Sequence, residues 1–348
     1  MTAASQLHTV VVGGGQAGLA AGYYLSRANV SFLILDANQR VGDSWRRRWD
    51  SLELFTVGRY SELPDMRFPG NPERFAGKDD VAGYLESYAE KFALPVRVRT
   101  KATRLHRADG GYAVRATDGS SYAARNVIVA TGAYERPYVP PVAEDIDPSV
   151  TQLHSSDYRN PAQLPKGEVL VVGGANSGVQ IAQELSRTRT VRLAVGTKPP
   201  RMPRRILGKS LHWWGDHLGI MRAPIGRLRG SKRSGDLLIG TSYRQLQRRH
   251  GVELMGRVVA ADGRAVRCAE GRSAEPAVII WATGFRSDYS WIDVPVFDNG
   301  HPVHRRGVTR SPGLYFLGMH LQYSLGSSLI GFVRYDAEHV VGHLAERS

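Results

Sequence analysis

Two glycine-rich turns constrain this chain more than anything else in it. Gly13-Gly14-Gly15-Gln16-Ala17-Gly18 follows a short β-rich run, Thr9 to Val12, and Gly173-Gly174-Ala175-Asn176-Ser177-Gly178 follows another, Val169 to Val172. Each turn then opens a helical pattern. In such a turn the first glycine permits a sharp reversal, the second lets the backbone approach a pyrophosphate, and the third lets helix and strand pack closely. The anion sits at the positive helix N-terminus. Gly13, Gly15 and Gly18 fill these positions in the first turn, and Gly173, Ala175 and Gly178 in the second, where alanine is small enough to keep the backbone near a phosphate. One turn of this kind is weak evidence. Two, far enough apart for separate βαβ units, imply a protein that holds two dinucleotides and moves electrons between them.

The first unit reads strand (9–12), turn, helix (17–27) and strand (32–36), ending at Asp36, 18 residues after Gly18. A carboxylate there takes the ribose hydroxyls of an adenosine. The second reads strand (169–172), turn, helix (177–187) and strand (191–195), and the position 18 residues after Gly178 is Gly196. No acid is present to claim a 2′-hydroxyl. Lys198, Arg201, Arg204 and Arg205 follow instead, suited to a 2′-phosphate, which favours NADPH over NADH.

A length of 348 residues is comfortable for two domains, and 42% apolar content is ordinary for a globular fold. The expectation is an α/β protein of two Rossmann-like dinucleotide-binding domains. No stretch approaches the roughly 18 apolar residues that span a bilayer. No basic and apolar leader precedes the first strand, so a cytoplasmic protein without a membrane partner is expected. Cys268 is the sole cysteine. That excludes an intramolecular disulfide, a Cys-x-x-Cys pair and a cysteine-rich metal site, and with them the reactive centre of the disulfide reductases, which also carry two dinucleotide folds.

The formal charge of +14 is concentrated: from Arg187 to Arg249 stand 16 Lys and Arg against only Asp216 and Asp236. Such a segment suits nucleic acid, an acidic protein, a phosphorylated cofactor or simply solvent. Trp213 and Trp214 interleave with it, but no helix-turn-helix, RNA-binding or zinc motif accompanies them, and nucleic acid is set aside. A cover over the nicotinamide cofactor and substrate mouth is the preferred reading.

Between the two units, Val81, Tyr84, Leu85, Tyr88 and Phe92 recur at helical spacing. Short strands at 96–99, 102–107, 112–116 and 121–130, with turn signals at Asp109-Gly110-Gly111 and Asp118-Gly119, predict a β-meander covering the sheet. The meander ends in Ala130-Thr131-Gly132. After the second unit come a polar helix (240–249), strands (252–260 and 265–268), and a buried strand that again ends in Ala-Thr-Gly, at 282–284, followed by Phe285. A last strand (313–318) and a Gly and Ser-rich turn (324–328) lead into a helix from about 329 to 345.

The first turn with Asp36, then Gly42-Asp43-Ser44-Trp45 and Ser51-Leu52-Glu53-Leu54-Phe55, resembles the FAD half of the flavin-containing monooxygenase family, its small bacterial members in particular. The resemblance implies that Gly42, Ser44 and Trp45 belong to a stretch wrapping the flavin, and that Thr131 and Gly132 mark a crossing between domains. Thr283, Gly284 and Phe285 match the family's Ala-Thr-Gly-aromatic motif at the return crossing. Gly318 and the turn at Ser328 face the flavin, with Gln322 and Ser328 within reach of its ring edge; capping the helix is the other role open to Ser328. The implied domains are 1–160 with 281–348 for FAD and 161–280 for NAD(P)H, the latter using Ala175, Asn176, Ser177, Lys198 and Arg201. Family members that prefer NADPH often have arginine near position 196, so NADH stays in play.

The family's pattern Phe-x-Gly-x-x-x-His-x-x-x-aromatic is kept at His154 and Tyr158, with Pro148 and Val150 where Phe and Gly belong. Tyr158 in place of tryptophan weighs against Baeyer-Villiger oxidation as the main activity. The family's asparagine beside the flavin is Phe55 here, which predicts more uncoupling to hydrogen peroxide. The implied chemistry is hydride transfer from NAD(P)H to FAD, addition of oxygen as a C4a-hydroperoxide, and transfer of one oxygen atom to a sulfide or amine in a dry pocket. Two other readings stay open: a reductase or oxidase feeding an acidic protein acceptor, and a non-catalytic nicotinamide-sensing flavoprotein. The expected partners are a small-molecule substrate and O2, and the oligomeric state, a homodimer included, is left open.

Overall fold

The apolar runs that lead into both glycine turns are buried on both faces, which a parallel sheet covered on two sides provides. In the computed structural model, which describes residues 7–227 and 237–347, β1 (Leu7–Val12), α1 (Gln16–Arg27) and β2 (Phe32–Leu35) form the first βαβ unit. α2 (Lys78–Lys91) leads to β3 (Val96–Arg97), and β4 (Ala102–Ala108), β5 (Gly111–Ala116) and β6 (Ser121–Val129) follow as an antiparallel meander. Then come β7 (Thr151–His154), β8 (Val169–Val172), α3 (Asn176–Leu185) and β9 (Val191–Ala194). α4 (Leu211–His217), α5 (Tyr243–His250), β10 (Glu253–Met255), β11 (Val278–Trp281), β12 (Leu314–Phe316) and α6 (Arg334–Ala345) complete the framework.

Two parallel sheets result, with matching strand order. The first runs β3-β2-β1-β6-β12 and the second β10-β9-β8-β11-β7. Side chains alternate across each strand, so one sheet feeds two cores. Val11, Ile34, Ile128 and Tyr315 pack under α1, α2 and α6, while Val10, Val12, Val127, Leu314 and Phe316 pack against the meander. In the second sheet Val169, Val171, Leu193 and Ile280 face α3, and Leu170, Val172, Ile279 and Trp281 face the other side. Trp49 and Leu52, from the connection after the first unit, are buried in that second core with Tyr158.

The meander covers one face of the sheet as expected, and it is joined to that sheet through β6, which pairs with β5 through its first half and with β12 through its second. Three expectations are corrected. Thr151–His154, expected within 1–160, pairs with β11 as an edge of the second sheet, so the chain has already crossed by then. The strand expected at 252–260 breaks at Gly256-Arg257. Its second part, Val258–Asp262, leaves the parallel sheet to pair antiparallel with Ala265–Cys268. The last helix starts at Arg334 rather than 329; the residues before it form turns, in which Gly331 lies so close to Tyr60 that a Cβ would be 2.4 Å from its carbonyl oxygen.

Arg229, Lys232, Arg233 and Asp236 of the basic stretch lie outside the described residues. Among those described, no helix is long and apolar enough to cross a membrane, and no cluster of His, Cys, Asp or Glu could hold a metal.

Candidate functional site

The carboxyl ends of β1 and β8 open into one shared cavity of about 2510 Å³. Drug-sized pockets are roughly 300–1,000 Å³, so this one has room for two dinucleotides and a substrate. The geometry of the first turn follows from sterics. Gly13 has φ +113°, and a Cβ there would lie 2.4 Å from the Ala130 oxygen; one at Gly18 would lie 1.8 Å from the Gly13 oxygen. Gly15 has open space in place of a side chain. α1 starts just after it with no side chain capping its first N–H groups, which face the cavity beside Gln16 and Ala17 as an anion site. Buried Asp36 uses Oδ1 to accept from the backbone and side-chain nitrogens of Asn38, both at 2.8 Å. Its Oδ2 stands over Gly14, 2.4 Å from where a Cβ would be, on the cavity wall.

The second turn repeats this construction. Gly173 has φ +123° and would place a Cβ 2.2 Å from the Ala282 oxygen, and a Cβ at Gly178 would lie 1.9 Å from the Gly173 oxygen. Each Ala-Thr-Gly turn therefore seats its alanine carbonyl on the first glycine of the adjacent dinucleotide turn. Ala175 and Ser177 line the cavity, but the Asn176 amide is committed elsewhere: Nδ2 donates to the Leu237 oxygen and Oδ1 accepts from the Ile239 nitrogen, both at 2.9 Å. The counterpart of Asp36 also changes. Val12 pairs with Leu35 and Val172 with Ala194, so the residue after the strand is Asp36 in one unit and Val195 in the other. Gly174 confirms it, since its Cβ would meet Val195 at 2.7 Å as Gly14 would meet Asp36. The connection is one residue shorter here, and the buried counterpart is apolar.

The two crossings lie side by side. Arg136–Pro137 pairs antiparallel with Phe285–Arg286, and Thr283 donates through Oγ1 to the Tyr138 oxygen. His154 Nε2 donates to the Gly284 oxygen at 3.0 Å, its Nδ1 accepts from the Ser156 nitrogen at 3.1 Å, and its ring meets Phe285 edge-on. Burial holds this imidazole below its ordinary pKa, in keeping with a neutral ring. Thr131, Gly132, Thr283, Gly284 and Phe285 all line the cavity.

On the wall near the first turn stand Ser44, Trp45, Phe55, Gly318 and Ser328. Ser328 caps no helix, because α6 begins later; its carbonyl accepts from Gln16 Nε2 at 3.5 Å. Trp49, which packs in the second unit's core and lines the shared cavity, keeps its Nε1 buried without a hydrogen-bond partner. Phe55 stacks on His212, ring centroids 5.9 Å apart and 18° from parallel. His212 is 3% exposed, and burial lowers its pKa to about 4. This patch is therefore uncharged at neutral pH.

Five expected site residues are off the wall. Gly18 and Gly178 work underneath it as close-packing glycines. Gly42 has left-handed φ +87° and packs against Ala82, where a Cβ would lie 2.5 Å from the carbonyl oxygen. Gln322 is buried with Nε2 donating to the Phe316 oxygen at 3.1 Å and Oε1 accepting from the Met319 nitrogen at 3.3 Å, so it braces β12 rather than reaching the cavity. Arg201 donates to the Gly240 oxygen. Of the neighbouring cations, Arg204 pairs with Glu53 and Arg205 with Glu73, while Lys198 lines the cavity. Arg48, which sequence reading passed over, also lines it, with its guanidinium 5.1 Å from the Phe285 ring centroid.

The open backbone at Gly15, the available Oδ2 of Asp36 and the uncapped α1 fit a dinucleotide such as FAD at the first turn.

Comparison with known proteins agrees. Residues 10–204 match the family described as pyridine nucleotide-disulphide oxidoreductase. An uncharacterized oxidoreductase, CzcO-like, of Geobacillus kaustophilus is 44% identical over 339 residues, covering 96% of this chain and 97% of the relative. The indole-3-pyruvate monooxygenase YUCCA1 of Oryza sativa is 28% identical over 92% of this chain and 88% of its own. The flavin-containing monooxygenase from Stenotrophomonas maltophilia superposes with a TM-score of 0.83 at 28% identity, covering 99% of both chains. Cys268 is buried, with its thiol pushed up to about 11 by burial. With a matching family over more than half its length, the chain belongs to the pyridine nucleotide-disulphide oxidoreductases and, among them, is a flavin monooxygenase-type oxidoreductase.

Proposed function

We propose that the protein uses FAD at the first glycine turn and NADPH at the second to insert one atom of O2 into a soft nucleophile, a sulfide or an amine. The observation that supports this most is that both turns, each with its uncapped helix N-terminus, open onto one cavity. In the balanced reaction, substrate, O2, NADPH and a proton give oxygenated substrate, NADP⁺ and water. When bound, the flavin supplies the redox chemistry: it accepts hydride and passes electrons to oxygen. The protein's own residues bind and shield. Asp36 holds the adenosine ribose through Oδ2, and the α1 N–H groups neutralise the pyrophosphate. Trp45 and neutral His212 give the wall an uncharged character, which limits water where a reactive oxygen species must survive. The first unit then spans β1 to β6 with β12 and α6, and the second spans β7 to β11.

The test is aerobic NADPH consumption with thioether, amine and ketone panels, measuring oxygenated product against hydrogen peroxide. Product formed from the thioethers or amines supports the proposal. Stoichiometric peroxide with every substrate, or no NADPH oxidation, refutes it.

A further inference from the structure

The second unit lacks an acid beside its turn, and three of the four arginines and lysines expected to replace it point elsewhere. Arg201 is bonded to the Gly240 oxygen, and Arg204 and Arg205 are paired with Glu53 and Glu73. The strand register brings in a different cation. Ala194 pairs with Met255, so two residues beyond that pair Gly196 and Arg257 come side by side at the carboxyl edge of the sheet. Gly196 has no Cβ, and its place is taken: a Cβ there would lie 3.2 Å from Arg257 Cζ and 3.3 Å from Nε. The guanidinium thus lies against the Gly196 backbone, fixed by Nη2 donating to Thr197 Oγ1 at 3.1 Å. Thr197 and Lys198 line the cavity wall at this end.

Of the thirteen described lysines and arginines between Arg187 and Arg249, four are paired with carboxylates: Arg192, Arg204, Arg205 and Arg222. Among the described residues Arg257 and Lys198 form no ion pair. Glu253, the nearest acid along the chain, pairs with Arg192 and Arg272, and Glu270 accepts from the Gly256 nitrogen. Arg257 stands behind the cavity wall rather than on it, with four N–H donors left, and the Thr197 hydroxyl proton and the Lys198 ammonium on the wall beside it add donors suited to a dianionic phosphate.

Resting on the two-dinucleotide reading above, we infer that Arg257, Thr197 and Lys198 form the clamp for the 2′-phosphate of the nicotinamide cofactor, with the decisive cation supplied by the segment after β10 rather than by the end of β9. Gly196 lets the guanidinium lie this close, since a Cβ there would press on it at 3.2–3.4 Å.

The test uses the flavin-loaded protein and calorimetric titration with two probes, adenosine 2′,5′-bisphosphate and 5′-AMP. The wild type binds the bisphosphate more tightly, with an advantage that shrinks as salt rises. Arg257→Ala weakens the bisphosphate by on the order of tenfold to a hundredfold while changing AMP little. Arg257→Lys restores part of the loss, and Lys198→Ala produces a smaller one. In kinetics, Arg257→Ala raises KM for NADPH far more than kcat falls. An Arg257→Ala protein that retains wild-type bisphosphate affinity overturns the inference, as does one that loses both probes equally. A wild type that binds both probes alike overturns the clamp and leaves the two-dinucleotide reading standing; a wild type that binds neither defeats both.

Discussion

Asp36→Ala offers the most direct quantitative probe of the first turn. In the structure Oδ1 is saturated by the two 2.8 Å bonds from Asn38, so only Oδ2 can meet a ribose hydroxyl. One charged hydrogen bond is worth about 1.5–3 kcal/mol. At about 1.4 kcal/mol per decade the alanine variant should therefore bind FAD about 10- to 150-fold more weakly. Asp36→Asn keeps an acceptor for the Asn38 backbone and loses only the charge and the second acceptor, so its loss should be smaller. Asn38→Ala separates the carboxylate from the turn it supports and should move the affinity least. The assay is removal of the flavin followed by titration with FAD, monitored by quenching of flavin fluorescence. An alanine variant that folds and binds FAD within about twofold of wild type would refute the assignment, since that change is only about 0.4 kcal/mol.

Three further outcomes are expected. Because His212 has its pKa lowered from 6.5 to about 4, the unfolded chain binds more protons between those values, and stability should fall by up to about 3 kcal/mol as pH drops through that window. Urea unfolding at pH 7 and pH 4.5 checks this, and a His212→Phe variant that keeps the same pH dependence counts against it. Phe55→Asn should place a polar group on the cavity wall and, on the proposed function, lower the hydrogen peroxide released per NADPH; equal peroxide yields and equal intermediate lifetimes by stopped flow would end that idea. Tyr158→Phe removes a buried hydroxyl that donates to Glu184 Oε2 at 2.6 Å. The cost should be about 1–3 kcal/mol, seen as a Tm lowered by a few degrees, and an unchanged Tm would contradict it.

What could be read directly from the sequence is what local sterics determine. A glycine that must abut a carbonyl, as Gly13 and Gly173 do, can be little else, so the two turns and the strands before them stand out. Asp36 was legible for the same reason, at a fixed distance from its turn. Counting failed in the second unit because a connection one residue shorter moved the counterpart from Gly196 to Val195, which only the pairing of Val172 with Ala194 reveals. Arg257 was invisible because its neighbour Gly196 lies about sixty residues away, brought close by the parallel register of β9 and β10. Gln322 was misread for the opposite reason. A polar side chain in a Gly and Ser-rich turn can face either the backbone or a ligand, and here the carbonyl of Phe316 claims it. Arg201, Arg204 and Arg205 share that ambiguity: long cations find acids or carbonyls that sequence proximity does not disclose.

The adjacent crossings at Arg136–Pro137 and Phe285–Arg286 make the second unit an insert whose entry and exit touch. The first sheet is completed across that gap, since β12 returns to pair with β6 as though nothing had intervened. The segment between the crossings is thus topologically removable: a short bridge from Pro137 to Phe285 would leave every strand of the first sheet with its neighbours. Excision would strip the cover from Trp49 and Leu52, which are buried in the inserted unit's core. A minimal flavin module cut from this chain would therefore need polar replacements at those two positions to stay in solution, and an exchange of the inserted unit for another would need a core shaped to receive them.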